Sequence, residues 1–398
     1  CAALPLSYCG MPVMGGRKVV PTAARRKMAL LFQARMRQLD GRGSTRAFPF
    51  PPVPVDCLAN KGRRKPMLSR HAFFGLSALV FAAASAQAET TKLSIAKQYG
   101  LGYLQFLMME DGKLVEKHAK GAGLGDITVE WSTFRSSDVM NDSLIAGTVD
   151  FVCVGTPGLA TIWAKTRGNI DVRGASGLNA LPLHLITRNP EIKSIKDFTE
   201  KDRIAVPAVK VAIQAIYLQM EAAKVFGEAN YAKLDPLTVS MAHPDAFAAL
   251  TSGQSEITAH FASPPFSYRE MDRGLKPVLK SYDVIGGKMS FNVVAATNKF
   301  RTSNPKTYAA FLAALEEATA TINKDKRAAA EAYLRITKDK APVEEIMKMM
   351  NDPDIEFTTL PMGNLKMVEF MNKVGTIKVK PAKWQDLFFE NVHSRQGS

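Results

Sequence analysis

The chain has 398 residues, 46% of them apolar, which is ordinary for a globular protein and enough for a sizeable core. Its net charge of +15 points to nucleic acid only until it is located: residues 1–88 hold 14 Lys/Arg against Asp40 and Asp56, while the rest carries 38 basic and 35 acidic residues. That near-neutral remainder argues against a nucleic-acid-binding body. Cys1, Cys9 and Cys57 also fall in the leader, so Cys153 reads as a buried small hydrophobe, not half of a disulfide.

Residues 1–66 show no helical or strand period, and Phe48-Pro49-Phe50-Pro51-Pro52-Val53-Pro54 can sit in neither a helix nor a central strand. This stretch reads as a disordered leader or as untranslated sequence ahead of a start at Met67. From Met67, Arg70 and His71 give a basic start, 72–84 an apolar run, and Ala86-Gln87-Ala88 a small-x-small ending. That order is expected of a secretory signal peptide over 67–88, with cleavage before Glu89. The run is too short to span a membrane.

From Lys92 the pattern alternates. Strands are expected at 92–96 and 127–131, with a helical stripe between them on Leu104, Leu107, Met108, Leu114, Val115 and His118. A helix ending at Gly147, a strand over 152–154 and a strand over 183–187 follow. The next hundred residues repeat the grammar: strand 203–207, helix 211–226, strand 237–241, helix 244–250. A strand at 291–296 returns, and helices follow at 308–322, 327–336, 343–350, 363–374 and 384–390. This order predicts α/β units with largely parallel sheets.

One pattern occurs twice. Leu144-x-x-Gly147-x-x-Asp150-Phe151 leads through Val152-Cys153-Val154 to Gly155-Thr156-Pro157, and Leu250-x-x-Gly253-x-x-Glu256-Ile257 leads through Thr258-Ala259-His260 to Ser263-Pro264-Pro265. Each glycine suits the left-handed position after a helix. Each hydroxyl suits an N-cap, with proline at the first helical position. A strand end beside a helix N-terminus favours anions. By contrast Gly121-Ala122-Gly123-Leu124-Gly125 precedes a strand, so it reads as a helix-to-strand turn and not a dinucleotide loop. Of the scattered histidines, only His260 falls where a strand should meet a cleft.

From Leu93 to about Phe389 the chain resembles the aliphatic sulfonate/nitrate/taurine-binding family of ABC-importer substrate-binding proteins. The resemblance rests on the order of Gln98-Tyr99-Gly100-Leu101-Gly102, the first copy of the repeated pattern, Ile195-Lys196-Asp197-Phe198, Ala249-Leu250-Thr251-Ser252-Gly253 before Pro264-Pro265-Phe266, Ala296-Thr297-Asn298-Lys299-Phe300, Asn304-Pro305 and Pro381-Ala382-Lys383-Trp384-Gln385-Asp386-Leu387-Phe388. It implies a type II periplasmic-binding-protein fold, two α/β lobes joined by two crossing strands near 183–187 and 291–295. The lobes would be 89–186 with 290–398, and 187–289. It implies a monomeric periplasmic solute-binding protein, without cofactor or metal, that delivers a small organic anion to a membrane-embedded permease with its ATPase and closes on that anion by a hinge. Carried over by position, the ligand residues would be Tyr99, Gly100, Leu101, Gly102, Phe134, Arg135, Gly155, Thr156, Pro157, Lys210, Val211, His260 and Phe261. One departure stands out: the family's hydroxyl at the start of the second-lobe helix is replaced by Ala208-Val209-Lys210-Val211-Ala212. An enzyme on the same fold, like the pyrimidine synthases, is the alternative. An effector domain of a transcription regulator would need a helix-turn-helix that residues 1–66 do not show.

Overall fold

Two sheets carry the chain, and the strand order in each follows one plan. The computed structural model describes residues 88–398, which fall within one compact unit; the leader and most of the expected signal peptide lie outside them. In chain order the elements begin β1 (Lys92–Lys97), α1 (Leu104–Asp111), α2 (Leu114–Gly121), β2 (Thr128–Thr133), α3 (Ser137–Ile145), β3 (Phe151–Gly155), α4 (Thr156–Thr166), β4 (Val172–Ala180) and β5 (His184–Thr187). They continue with β6 (Ile204–Val206), α5 (Ile213–Phe226), β7 (Thr238–Ser240), α6 (His243–Ser252), β8 (Ala259–Ala262), α7 (Phe266–Asp272), β9 (Lys276–Lys280) and α8 (Ser281–Ile285). The last are β10 (Ser290–Thr297), α9 (Asn298–Ser303), α10 (Pro305–Lys324), α11 (Lys326–Thr337), α12 (Val343–Met350), β11 (Glu356–Phe357) and α13 (Asn364–Lys373).

The first sheet runs β11-β4-β10-β3-β1-β2 and the second β7-β6-β8-β5-β9. In each, three parallel strands (β2-β1-β3 and β7-β6-β8) are followed by one antiparallel strand, β10 or β5. That antiparallel strand is the one the chain enters after passing from the other sheet. The passages, 181–183 and 281–289, run side by side, with Leu183 N–H donating to Ser281 Oγ (3.0 Å) and Ser281 N–H to the Leu183 carbonyl (2.9 Å).

The helix expected between β1 and β2 is broken into two, because Lys113 takes a left-handed conformation (φ 48°). The structure also adds β4 and β9, which the residue pattern hides. β4 reads Val-Arg-Gly-Ala-Ser-Gly-Leu-Asn-Ala, poor in branched residues. Its glycines are there for space: a Cβ on Gly174 would overlap the Phe388 ring, and one on Gly177 the Leu360 carbonyl. β9 opens Lys-Pro and lies at the sheet edge, where proline is tolerated.

Apolar faces close the layers. Under the first sheet Phe151 stacks on Phe311 of α10 at 3.8 Å between ring centres, and Phe106 meets Phe311 edge-on. Cys153 is free and buried. The start of the described chain is fastened to α10: the Glu89 carboxylate accepts the backbone N–H groups of Lys306 (2.9 Å) and Thr307 (2.7 Å), and Thr90 N–H donates to Asn304 Oδ1 (2.8 Å). No helix among the described residues is long and apolar enough to cross a membrane.

Candidate functional site

Ligands of open α/β sheets bind beyond the carboxyl ends of the strands, and here both sheets present those ends to one small cavity of about 20 Å³. Gln98 follows β1, Gly155 ends β3 and Pro207 follows β6. Helix starts supply the rest of the wall: Ser137 of α3, Ala212, Ile213 and Gln214 of α5, and His243 of α6. Tyr103, Phe291 and Asn292 complete it.

Four helices therefore begin around one small space. Their N-caps are Ser136, Gly155, Ala212 and Ala242, and none makes a side-chain capping bond. Of the other described helices α9 and α11 are capped, Thr297 accepting from Phe300 N–H (3.0 Å) and Asp325 from Ala328 N–H (2.9 Å). The rest, α1, α2, α7, α8, α10, α12 and α13, are not; what sets the four apart is that they begin around one space. The first N–H groups of a helix need a partner, and at the cavity no side-chain cap supplies one. No Lys, Arg, Asp or Glu is among the residues lining it. On the wall itself helix termini are the source of positive potential, each contributing roughly 0.3–1 kcal/mol to a nearby anion and up to about 2 kcal/mol when partly buried. Asp138 in the first turn of α3 opposes it.

Behind the cavity wall runs a buried polar chain. Gln214 Nε2 lies 3.2 Å from His243 Nε2, His243 Nδ1 lies 2.8 Å from His260 Nε2, and His260 Nδ1 lies 2.6 Å from Glu270 Oε1. Burial pushes the Glu270 carboxyl up to about 9 and the His260 imidazole down to about 3, and it lowers His243 as well. Burial therefore favours a neutral acid against a neutral imidazole at the 2.6 Å contact, because an unscreened ion pair is costly to desolvate.

The residues expected from the sequence are dispersed. Gly155 lines the cavity. Tyr99, 43% exposed, and Gly100 line a separate outer groove of about 430 Å³ with Phe266, Arg269 and Tyr333; Gln98 borders both spaces. Leu101 is buried, and its N–H donates to the Pro264 carbonyl (3.0 Å) across the seam between the sheets. Gly100 is at φ 102°, and a Cβ there would lie 2.8 Å from that same carbonyl oxygen. The Gly102 carbonyl accepts from Asn179 (2.7 Å) and Asn292 (3.0 Å). Phe134 is half-buried against the core, Arg135 and Lys210 are exposed, and Val211 is 36% exposed. Thr156 and Pro157 are buried; the Thr156 hydroxyl donates to Asn364 Oδ1 (2.7 Å). Phe261 is buried beside Tyr217 and His260 is buried in the polar chain.

The capping expectation is corrected at both copies of the repeated pattern. Thr156 is the first residue of α4, behind an N-cap at Gly155, and α7 starts at Phe266 behind Pro265. The loop expected at 210–212 reaches the cavity through Ala212, whereas sequence reasoning missed Gln98, Tyr103, Ser137, Pro207, Ile213, Gln214, His243, Phe291 and Asn292. The signal that could have found several of them is Ala212 and Ala242, poor capping residues placed directly before helices.

No family model matches the sequence, and no curated protein does either. Solved structures do match. The alkanesulfonate-binding protein SsuA of Xanthomonas axonopodis pv. citri, bound to MOPS, superposes with a TM-score of 0.57 at 13% identity, covering 74% of this chain and 96% of its own. The periplasmic nitrate-binding protein NrtA of Synechocystis PCC 6803 gives 0.57 at 15% identity, over 75% and 84%. A Candida albicans gene product described as having the generic periplasmic binding protein fold gives 0.55 at 14%, over 77% and 96%. This chain has the periplasmic-binding-protein fold. Within that fold, the cavity described above occupies the space between the two sheets.

Proposed function

We propose that this chain is the extracytoplasmic solute-binding component of an ABC importer, and that it holds the anionic head of a small organic acid between its sheets. The observation that carries the reading is the set of four uncapped helix N-termini around one cavity that has no acidic side chain. It agrees with the sulfonate- and nitrate-binding proteins whose structures share the fold. The head, a sulfonate or carboxylate, would accept from those N–H groups and from the amides of Gln98 and Gln214. A cavity of about 20 Å³ takes no organic body, so the body would extend past Gln98 into the outer groove under Tyr99, and entry would require the sheets to part. Parting would break the Leu101–Pro264 bond and the fork of Arg269 on Asp339 (2.7 Å) and Glu345 (2.5 Å). A monomer delivering its ligand to a membrane permease fits this reading.

A thermal-shift screen of sulfonates, carboxylates and nitrate against amines and neutral analogues tests it. A ligand at a hundred times its Kd adds about 2.7 kcal/mol of stability, and small-angle scattering should show a smaller radius on saturation. Stabilisation by cations or neutral compounds alone would sink the proposal.

A further inference from the structure

The Gln214–His243–His260–Glu270 chain has two complete hydrogen-bonding patterns that differ by one proton. In one, Glu270 is a carboxylate that accepts from His260 Nδ1–H. His260 Nε2 accepts from His243 Nδ1–H, and His243 Nε2 accepts from the Gln214 amide NH₂. In the other, a proton from solvent or from the acid form of a ligand has bound at His243 Nε2. The His243 Nδ1 proton has then passed to His260 Nε2, and the His260 Nδ1 proton to Glu270 Oε1. Glu270 is now a neutral acid, neither ring is charged, and His243 Nε2–H donates to the amide oxygen of Gln214, which must turn over to receive it. Each contact in the chain, 3.2, 2.8 and 2.6 Å, is short enough for both patterns.

We propose that this chain stores one proton behind the cleft and thereby decides whether Gln214 turns a donor or an acceptor toward the bound ligand. Gln214 and His243 both line the cavity, and His243, His260 and Glu270 are buried. Glu270 Oε2 is buried without a partner, as a carbonyl oxygen of a neutral acid tolerates and a carboxylate oxygen does not. With the proton stored, the amide NH₂ points away from His243 and an oxyanion is bound. Without it, the amide oxygen and the Glu270 charge both oppose one. Resting on the anion-site reading, this makes uptake of an oxyanion an uptake of one proton.

Of the surrounding charges Arg273 acts on Glu270, favouring its carboxylate, while the others are paired, exposed or neutral. On α7 and just after it, Arg269 pairs with Asp339 and Glu345, Asp272 with Lys348, and Arg273 lies over the Phe247 ring. Asp245 of α6 is exposed, Glu221 and Lys224 of α5 pair with each other, and β6 carries no titratable residue. His184 of β5 is held down to about 4 by burial and stays neutral.

Nitrogen-15 NMR of histidine-labelled protein across pH 5–10 reads the chain without any ligand. The expected result is that His243 and His260 exchange Nε2–H for Nδ1–H together in one step, with no imidazolium, and that Glu270→Gln freezes both. Fixed tautomers in the native protein would overturn the proposal, whatever the cleft binds. Nitrate and methanesulfonate are then titrated over the same range. Affinity should fall about tenfold per pH unit above the tautomer step in the native protein and stay level in Glu270→Gln. Level affinity in the native protein would overturn the coupling. Failure of both anions to bind at any pH would overturn the anion reading of the cleft instead, while the NMR result still judges the proton store.

Discussion

The two copies of the repeated pattern begin alike and end differently. Both helices stop at a left-handed glycine, Gly147 at φ 71° and Gly253 at φ 70°. In the first copy the acid, Asp150, accepts Ser94 N–H (2.8 Å) and ties β3 to β1; the strand beyond it, Phe151–Gly155, is wholly apolar and opens into an 11-residue helix at the cavity. In the second copy the strand carries a buried His260, and two prolines follow it that have no N–H to give. What the second copy presents is a carbonyl, and Leu101 takes it. One copy faces the ligand space and the other closes the seam. A shared sequence pattern fixed the backbone path, and one extra proline exchanged donor for acceptor.

The largest expected effect separates the copies by pH. His184, His243 and His260 are neutral in the fold and lie in the second sheet or its helices, so unfolding in acid takes up their protons. Their contribution is complete above pH 6.5 and is lost as the pH falls toward 4. Glu270 is neutral in the fold up to about pH 9 but ionises above about 4.5 when unfolded, so its contribution is lost as the pH rises toward 9. Each proton is worth about 1.4 kcal/mol per pH unit. Thermal melts should peak near about pH 6.5, with the acid side steeper, and Glu270→Gln should flatten the alkaline side. A melting temperature level from pH 5 to 9 would mean that the second copy's polar chain does not titrate as buried groups do.

Next comes the seam. Gly100→Val forces a side chain into a backbone with φ 102° and against the Pro264 oxygen, and should cost about 3 kcal/mol in denaturant titration. A loss under about 0.5 kcal/mol would show that the seam is not packed as described. In the first copy, Thr156→Val leaves Asn364 Oδ1 without its donor and should cost about 1–2 kcal/mol. Anion affinity should hold, because the copy offers backbone N–H groups and not its hydroxyl; a large affinity loss would put that hydroxyl back in the site. Smallest is Arg269→Ala, about 1 kcal/mol for a half-buried pair, with a larger scattering radius as its readout.

Periodicity made most elements legible. The helix from Val343 to Met350 and the strands around Ile204 and Val293 need only their own residues to be recognised. β4 does not: its glycines make room for Phe388 and Leu360, some two hundred residues away, and nothing local announces them. The site was legible in kind, as helix starts beside strand ends, but its members were not. Thr156 looked like a cap and is the first helical residue, while the stretch ending at Ala212, notable only for lacking a hydroxyl, is an uncapped start. His243 gave no sign, because its importance comes from His260 and Glu270, which the fold brings behind it.

The fastening of Glu89 bears on processing and turnover. A leader peptidase cutting before Glu89 would leave a new amino terminus whose first side chain already holds the start of α10. Such an end cannot fray far enough to thread into an aminopeptidase unless that grip is released. The cut protein should therefore keep an even, unragged terminus on long incubation with one, and Glu89→Ala should be trimmed stepwise; equal trimming of both would show that the anchor does not protect.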